Sequence, residues 1–463
     1  MNTVLAVIIV AATPFFTNEE SRDIERTIPT TPTQKIELKG FNGSKIEFKS
    51  WDKNEVSIKL SVTISASNGE FEKEYIKSVN VTEKSSPSVI TIRFDEPEAR
   101  SSGGFFQRLF SFGSSYIRKE IRGEIYIPKT NAFYSDMKYG SMTLEDMKGP
   151  LDLDGQSNTL ELRNCVSVRM VRNDYGKATL INCGGTLSLE CQSGTVKIEG
   201  FKGTVDLLAK YSTITVSRVS DSTTIESQSG TLAIDDIQGN LTVNSDYSTL
   251  TINKVAGFVD VTNKSGKIKI KSVDGVRVDG LYSGIEISSV SGKSNRTIDI
   301  KGQSGRLDLV DVVGNVNIEN PYSTMTLRNI RGHVNLESQS ARIDANNITG
   351  NWKSTTPYST LTIFGLTAQN IQIRNQSNPV EIELASKPTD VEILNEYGSV
   401  ALTLPTGFAG SVRLKATYGK VKSNLPIEIE DMGSGALALG KMGSGGGSMR
   451  VETTSGDIKV TQK

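Results

Sequence analysis

The chain has 463 residues, and its 52 Lys and Arg balance its 52 Asp and Glu, so it lacks the basic stripe of a nucleic-acid binder. One histidine and three cysteines leave little for Ser-His-Asp or Cys-His catalysis or for a zinc site. A globular chain of this length divides into about two to four domains, a limit that a chain growing in one dimension escapes.

Val4 to Ala12 is an apolar run far short of the ~20 residues that span a bilayer, and Val10-Ala11-Ala12 offers small residues for cleavage. Residues 1–17 therefore read as a signal peptide, although no Lys or Arg precedes the run and Pro14-Phe15-Phe16 is bulky for a processing region. No cysteine follows, so no lipid anchor is expected. The expected location is outside the cytoplasm, in the periplasm, at the cell surface or beyond it, with no transmembrane span in the mature chain.

Residues 18–33 read as a linker. Residues 34–132 alternate apolar and polar positions without a period, over Lys35 to Lys39, Lys45 to Lys49, Glu55 to Ser65, Ser88 to Phe94 and Ile121 to Pro128, and predict a non-repetitive β cap. Within it, Phe105, Phe106, Phe110 and Phe112 lie between Ser101-Ser102-Gly103-Gly104 and Gly113-Ser114-Ser115. Such flanks predict a loop or hairpin tip that contacts a membrane surface or a partner, or else folds back over the first coil.

Residues 133–424 are periodic. Tyr139, Tyr175, Tyr211 and Tyr247 recur every 36 residues, with Gln156, Gln192 and Gln228 between them. Lys264 takes a glutamine's place, and the series resumes as Tyr282, Gln303, Tyr322, Gln339, Tyr358, Gln376, Tyr397 and Tyr418. The alternating gaps make the true unit about 18 residues. Each unit carries two short runs of period-2 alternation, as at Leu250 and Ile252, then Val259 and Val261. Apolar-x-Gly steps such as Val255-Ala256-Gly257 and Ile330-Arg331-Gly332 predict positive-φ glycine corners. A propeller blade needs about 40 to 45 residues, so the unit predicts an all-β fold, a parallel β-solenoid of about sixteen 18-residue coils. Residues 425–463, with the Gly/Ser-rich stretch Gly433 to Ser448, read as a C-terminal cap.

Candidate chemistry is sparse. Tyr175, Tyr211, Tyr247, Tyr282, Tyr322 and Tyr358 form the best candidate ligand surface, because rings on every second coil can stack against the sugars of a long polysaccharide; a packed ladder fixing coil register is the competing reading. Asp235-Asp236 and the pair Arg342 and Asp344 are the residues a carbohydrate-active β-helix enzyme would use, yet neither gathers a larger cluster. His333 occupies a turn position where other units carry Asn, Phe or Thr and reads as an interchangeable surface residue. Cys165 and Cys183 lie one unit apart and either form a disulfide or fill a column as small residues; Cys191 stands where later units have Ser227 and Asn263. No catalytic residue, metal or cofactor is expected.

Ile36-Glu37-Leu38-Lys39-Gly40-Phe41-Asn42-Gly43-Ser44-Lys45-Ile46-Glu47-Phe48, the repeated Ser-Gly-x-apolar-x-apolar steps, and Thr454-Ser455-Gly456-Asp457-Ile458-Lys459-Val460 resemble the bacterial putative-adhesin, β-strand-repeat family of envelope proteins. The resemblance runs from about Gln34 to Lys463. It implies a secreted β-solenoid, an adhesin by analogy, with no catalytic residues to carry over; with the tyrosine series this gives a secreted or envelope binding rod for a polysaccharide or cell-surface component. The alternatives are a carbohydrate-active β-helix, lyase or hydrolase, and a purely structural envelope spacer.

Overall fold

The computed structural model describes residues 19–66, 69–97, 117–293, 295 and 297–463. The signal-peptide segment and Phe105, Phe106, Phe110 and Phe112 lie outside the described residues. Two compact units divide the chain, Met1–Lys177 and Ala178–Lys463. The fold is all-β, a parallel β-solenoid of about 15 turns of ~18 residues with an N-terminal β cap.

In the second unit, the period is a hydrogen-bond register. Ile214 pairs with Leu232, Leu232 with Leu250, and Leu250 with Ile268, while Val216, Ile234, Ile252 and Ile270 form the parallel column two residues on. Each of these side chains is almost fully buried. Burying one such side chain contributes about 1.5–3 kcal/mol, and every turn adds several, so the core grows as a stack of equal increments. The intervening residues, such as Lys267, Lys269 and Lys271, face out.

Coil corners differ from the glycine corners expected. Of the glycines in the steps at Gly149, Gly203, Gly239, Gly257, Gly275, Gly332 and Gly350, only Gly203, Gly332 and Gly350 have positive φ. The regular left-handed corner sits just before the apolar residue, at Gly200, Arg218, Asp236, Lys254 and Ser272, then Asp311, Asn329, Asn347 and Gly365. Asn and Asp tolerate this conformation better than other side chains, and here they also pair along the stack. Asn329 Nδ2 donates to Asp311 Oδ1 at 2.7 Å and Asn347 Nδ2 to Asn329 Oδ1 at 2.9 Å. The glycines answer to close approach instead. A Cβ on Gly332 would lie 2.0 Å from the Gly314 carbonyl oxygen, and one on Gly350 2.2 Å from that of Gly332.

The first unit's cap interleaves the chain. Strands Lys35–Lys39 and Lys45–Trp51 form the earliest coil in sequence, yet they lie between a later coil, Val89–Asp95 with Ile117–Pro128, and the next, Phe133–Ser135 with Ser141–Glu145. Antiparallel strands then close the outer edge: Glu55–Ala66 on Ile117–Pro128, Glu19–Pro29 on Glu55–Ala66, and Asn80–Ser85 on Val89–Asp95. Residues 18–33, expected as a linker, thus contain a strand of the cap, because Ile24 and Ile28 find a buried face. Its outward charges protect the edge from further pairing.

One helix, Gly69–Ser78, departs from the all-strand reading of the cap. Phe71 and Tyr75, four residues apart on one face, are buried. Arg22 Nη1 donates to the Ile76 and Val79 carbonyls at 3.1 and 2.7 Å, satisfying acceptors freed at the helix C-terminus. Burial and the hydrogen bond to Glu96 push the Tyr75 hydroxyl well above its usual range.

The second unit ends with the same device. The last coil in sequence, Gly447–Thr453 with Ile458–Gln462, inserts between Asp390–Asn395 with Val400–Leu404 and Gly410–Ala416 with Val421–Ser423. Strand Ala436–Met442 pairs antiparallel with Gly410–Ala416, and Glu428–Asp431 covers it in turn. That outermost strand is exposed throughout and carries three acids, Glu428, Glu430 and Asp431. The inserted coil is also held by charge. Glu452 accepts from Arg413 Nε and Arg450 Nη2, both at 2.9 Å, and Arg450 Nη1 stands 3.6 Å from Glu392.

Gly332→Ala is expected to lower stability by at least ~2 kcal/mol, whereas Gly284→Ala, with nothing within 4 Å of the added Cβ, changes it by less than ~0.5 kcal/mol, as read by denaturant unfolding of the two variants. The hydrogen bond from Arg450, then that from Arg413, pulls the Glu452 carboxyl from its ordinary 4.5 down to about 2. A depressed carboxyl stabilises the fold above its unfolded pKa, and that contribution fades as pH falls through the folded value. Glu452→Gln should therefore lower the melting temperature at pH 7, and the gap to wild type should shrink between pH 4.5 and about 2.

Candidate binding surfaces

The tyrosines of the series recur at equivalent points of the coil, most of them between two short strands or at the start of one, with Tyr247 inside the continuous strand Leu241–Asn263. The dipeptide explains their direction. In Tyr211-Ser212, Tyr247-Ser248, Tyr282-Ser283, Tyr322-Ser323 and Tyr358-Ser359 the serine is buried, being small enough to fill a tight inner corner, and the ring is turned out. In the second unit the rings of Tyr211, Tyr247, Tyr282, Tyr322, Tyr358, Tyr397 and Tyr418 are 46–64% exposed. The expected Tyr/Gln alternation is a backbone ladder there: Tyr211, Tyr322, Tyr358 and Tyr397 N–H groups donate to the carbonyls of Gln192, Gln303, Gln339 and Gln376 at 2.7–3.0 Å. Tyr322 also hydrogen-bonds Gln339 through its hydroxyl. Tyrosines two coils apart are separated by roughly 10 Å along the stack. In the first unit Tyr139 and Tyr175 are both 53% exposed. Register is thus fixed by backbone and by the buried Ser and Asn corners, and the rings are left on the surface.

The residues weighed for catalysis are dispersed. Asp235 accepts from Asn253 Nδ2 at 2.6 Å, while its neighbour Asp236, at a left-handed corner, accepts from Gln238 Nε2 at 2.7 Å. Arg342 pairs with Asp344 at 3.1 Å, and Arg306 pairs with Asp308 in the same way at 2.7 Å, so the pair is a repeated surface device. Cys165, Cys183 and Cys191 are buried and not joined in a disulfide, and Cys165 Sγ donates to the Leu144 carbonyl at 3.5 Å. Cys191 is in register with Ala209, and Ser245 follows Ser227 in the same inner corner series, with Ser245 Oγ 2.9 Å from Asn263 Oδ1. Among the described residues no group of three or more His, Cys, Asp or Glu could hold a metal, and no helix is long and apolar enough to cross a membrane.

His333 has a definite task. Its N–H donates to Asn315 Oδ1 at 3.0 Å and its Nδ1 accepts the Asn351 N–H at 2.9 Å, placing it in a ladder where the other members are asparagines. Asn351 Oδ1 continues the ladder to the N–H of Asn370 at 3.1 Å. Exchange for Asn keeps an acceptor there, but exchange for an apolar residue does not.

This ladder borders a groove of about 830 Å³ in the second unit. Its floor is an outward row in parallel register, Asn317, Asn335, Lys353, Gln372, Glu392 and Arg450, which Asp299 precedes by one coil outside the groove. The sequence reading missed it. One residue per coil builds the row, and from Asn317 to Asn335 to Lys353 the 18-residue spacing was visible, yet the change of residue type hid it beside the invariant tyrosines.

No curated protein matches the chain. A solved structure of "a putative cell adhesion protein" from Clostridium sporogenes aligns over 96% of this chain and 100% of that one, at 10% identity and a TM-score of 0.16, too low to carry an argument. Residues 283–461 match the family model described as Toastrack DUF4097. That span takes in the groove and the interleaved C-terminal coils; over it the chain is similar to the Toastrack DUF4097 family, and the expected β-strand-repeat family fits.

Proposed function

We propose that this protein is a non-enzymatic binding body of the cell surface or envelope, which holds a long polysaccharide along its tyrosine edge. The supporting observation is the seven tyrosines of the second unit, about half exposed or more, repeated on a backbone that hydrogen bonding keeps rigid. A flexible polymer pays little entropy against a pre-ordered row of planar rings, and each ring adds about 0.5–1.5 kcal/mol by stacking. No single ring has to bind tightly, because neighbouring subsites on one polymer act together.

The test is retention of the full chain on a panel of bacterial and plant polysaccharides, scored together with newly formed reducing or unsaturated ends. Wild type should retain at least one polymer and release no ends. Tyr211→Ala combined with Tyr247→Ala should weaken retention about tenfold or more at unchanged melting temperature, since both rings are exposed. Released ends would establish the carbohydrate-active alternative. Retention unaffected by the double variant would move the binding surface elsewhere, and no retention at all would leave the spacer.

A further inference from the structure

The groove of the second unit differs from the tyrosine edge in its chemistry. Trp352 is its largest aromatic neighbour, but the indole is 1% exposed and donates Nε1–H inward to Ser354 Oγ at 3.1 Å, so no ring face is offered for stacking. Recognition here has to be polar. The acids are already engaged: Asp299 accepts from Asn317 Nδ2 at 2.9 Å, Glu392 from Gln372 Nε2 at 3.1 Å, and Asp390 from Ser448 Oγ at 2.7 Å. Arg450 is turned to Glu452 and Glu392. The Lys353 ammonium has no side-chain hydrogen-bond or ion-pair partner among the described residues, and the side-chain amide of its register neighbour Asn335 has none either. The groove therefore presents one unpaired ammonium flanked by carboxamides, beside acids that are held by neutral donors at Asp299 and Asp390 and by Arg450 at Glu392.

We infer that this groove is a subsite for an acidic glycan, with a uronate carboxylate on Lys353 Nζ and the hydroxyls of adjoining sugars on the amides of Asn335 and Asn317. The row advances about 4.8 Å per coil, comparable to the advance of one sugar ring along an extended chain, so successive rings meet successive coils. A polyanion of dense charge is disfavoured by the engaged carboxylates on both sides of Lys353, whereas a carboxylate-bearing sugar chain can place one acid on the ammonium and turn its remaining polar groups to the amides. The strand Trp352–Thr355 begins at the groove and ends three residues before Tyr358, so groove and tyrosine edge flank the same short sheet. The inference rests on the glycan-binding reading but uses none of the tyrosines.

The experiment titrates the full chain calorimetrically with oligogalacturonate and with the same oligosaccharide as its methyl ester, which differ in the carboxylate alone. Wild type should bind the acid about fivefold tighter than the ester, the discrimination one exposed ion pair supplies. Lys353→Gln should abolish that preference, Lys353→Arg should keep it, and Tyr211→Ala with Tyr247→Ala should leave the acid-to-ester ratio unchanged. If Lys353→Gln does not fold, the ratio in Lys353→Arg and in Asn335→Ala decides. The subsite is overturned if wild type binds both forms equally or neither, or if Lys353→Gln retains the preference. Should these outcomes arise while other polysaccharides are retained in a tyrosine-dependent way, the binding function survives and the groove assignment alone falls. Should nothing be retained, both fall.

Discussion

The rest of this structure depends on the parallel backbone register between residues about 18 apart. Strands so paired lie about 4.8 Å from one another, and every side chain must coexist with its counterpart at that distance. The interior accepts this because Val, Ile and Leu stack on themselves without loss of packing, and β-branched residues fit the pleat. Corners are less forgiving. Gly332 and Gly350 are where one coil's backbone nearly touches the next, and the Asp311, Asn329 and Asn347 series turns a strained corner into a side-chain hydrogen-bond ladder. His333 is accommodated on the same terms, since an imidazole nitrogen can accept where an asparagine oxygen otherwise does.

The outermost coil of a stack leaves an open sheet edge, and each unit covers one such edge in the same manner. A coil from one part of the chain is inserted beneath a coil from another, and antiparallel strands are laid over the outermost one. Antiparallel pairing reverses the hydrogen-bonding pattern that the next parallel coil would need, and charged residues on the last strands discourage any partner. Interleaving has a further mechanical effect. Peeling the C-terminal residues away breaks two strand interfaces at once, and Arg413, Glu452, Arg450 and Glu392 tie the inserted coil across both.

Because backbone and core hold the fold, outward residues are free to serve recognition. The tyrosine edge and the groove use that freedom differently. One repeats a single aromatic residue and suits a repeating polymer; the other sums six outward residues, one from each coil, into one polar floor around Lys353.

Fold class, period and the tyrosine series were legible in the sequence because a solenoid writes its geometry as repetition: Tyr211, Tyr247, Tyr322 and Tyr358 occupy equivalent corners and so carry the same residue, but that their rings face outward came from the structure. The strands of both caps were partly legible as alternation. The helix Gly69–Ser78 was announced only by Phe71 and Tyr75, and the strand Glu19–Pro29 only by Ile24 and Ile28, each too brief a signal without the face it packs on. The interleaved coils could not be read at all, since Lys35–Lys39 and Gly447–Thr453 find their neighbours far along the chain. The groove belongs to the same category. Repetition along the chain determined how each coil is built, but which coils lie side by side, and therefore which unlike residues meet across them, was decided by long-range strand pairing that local sequence does not encode.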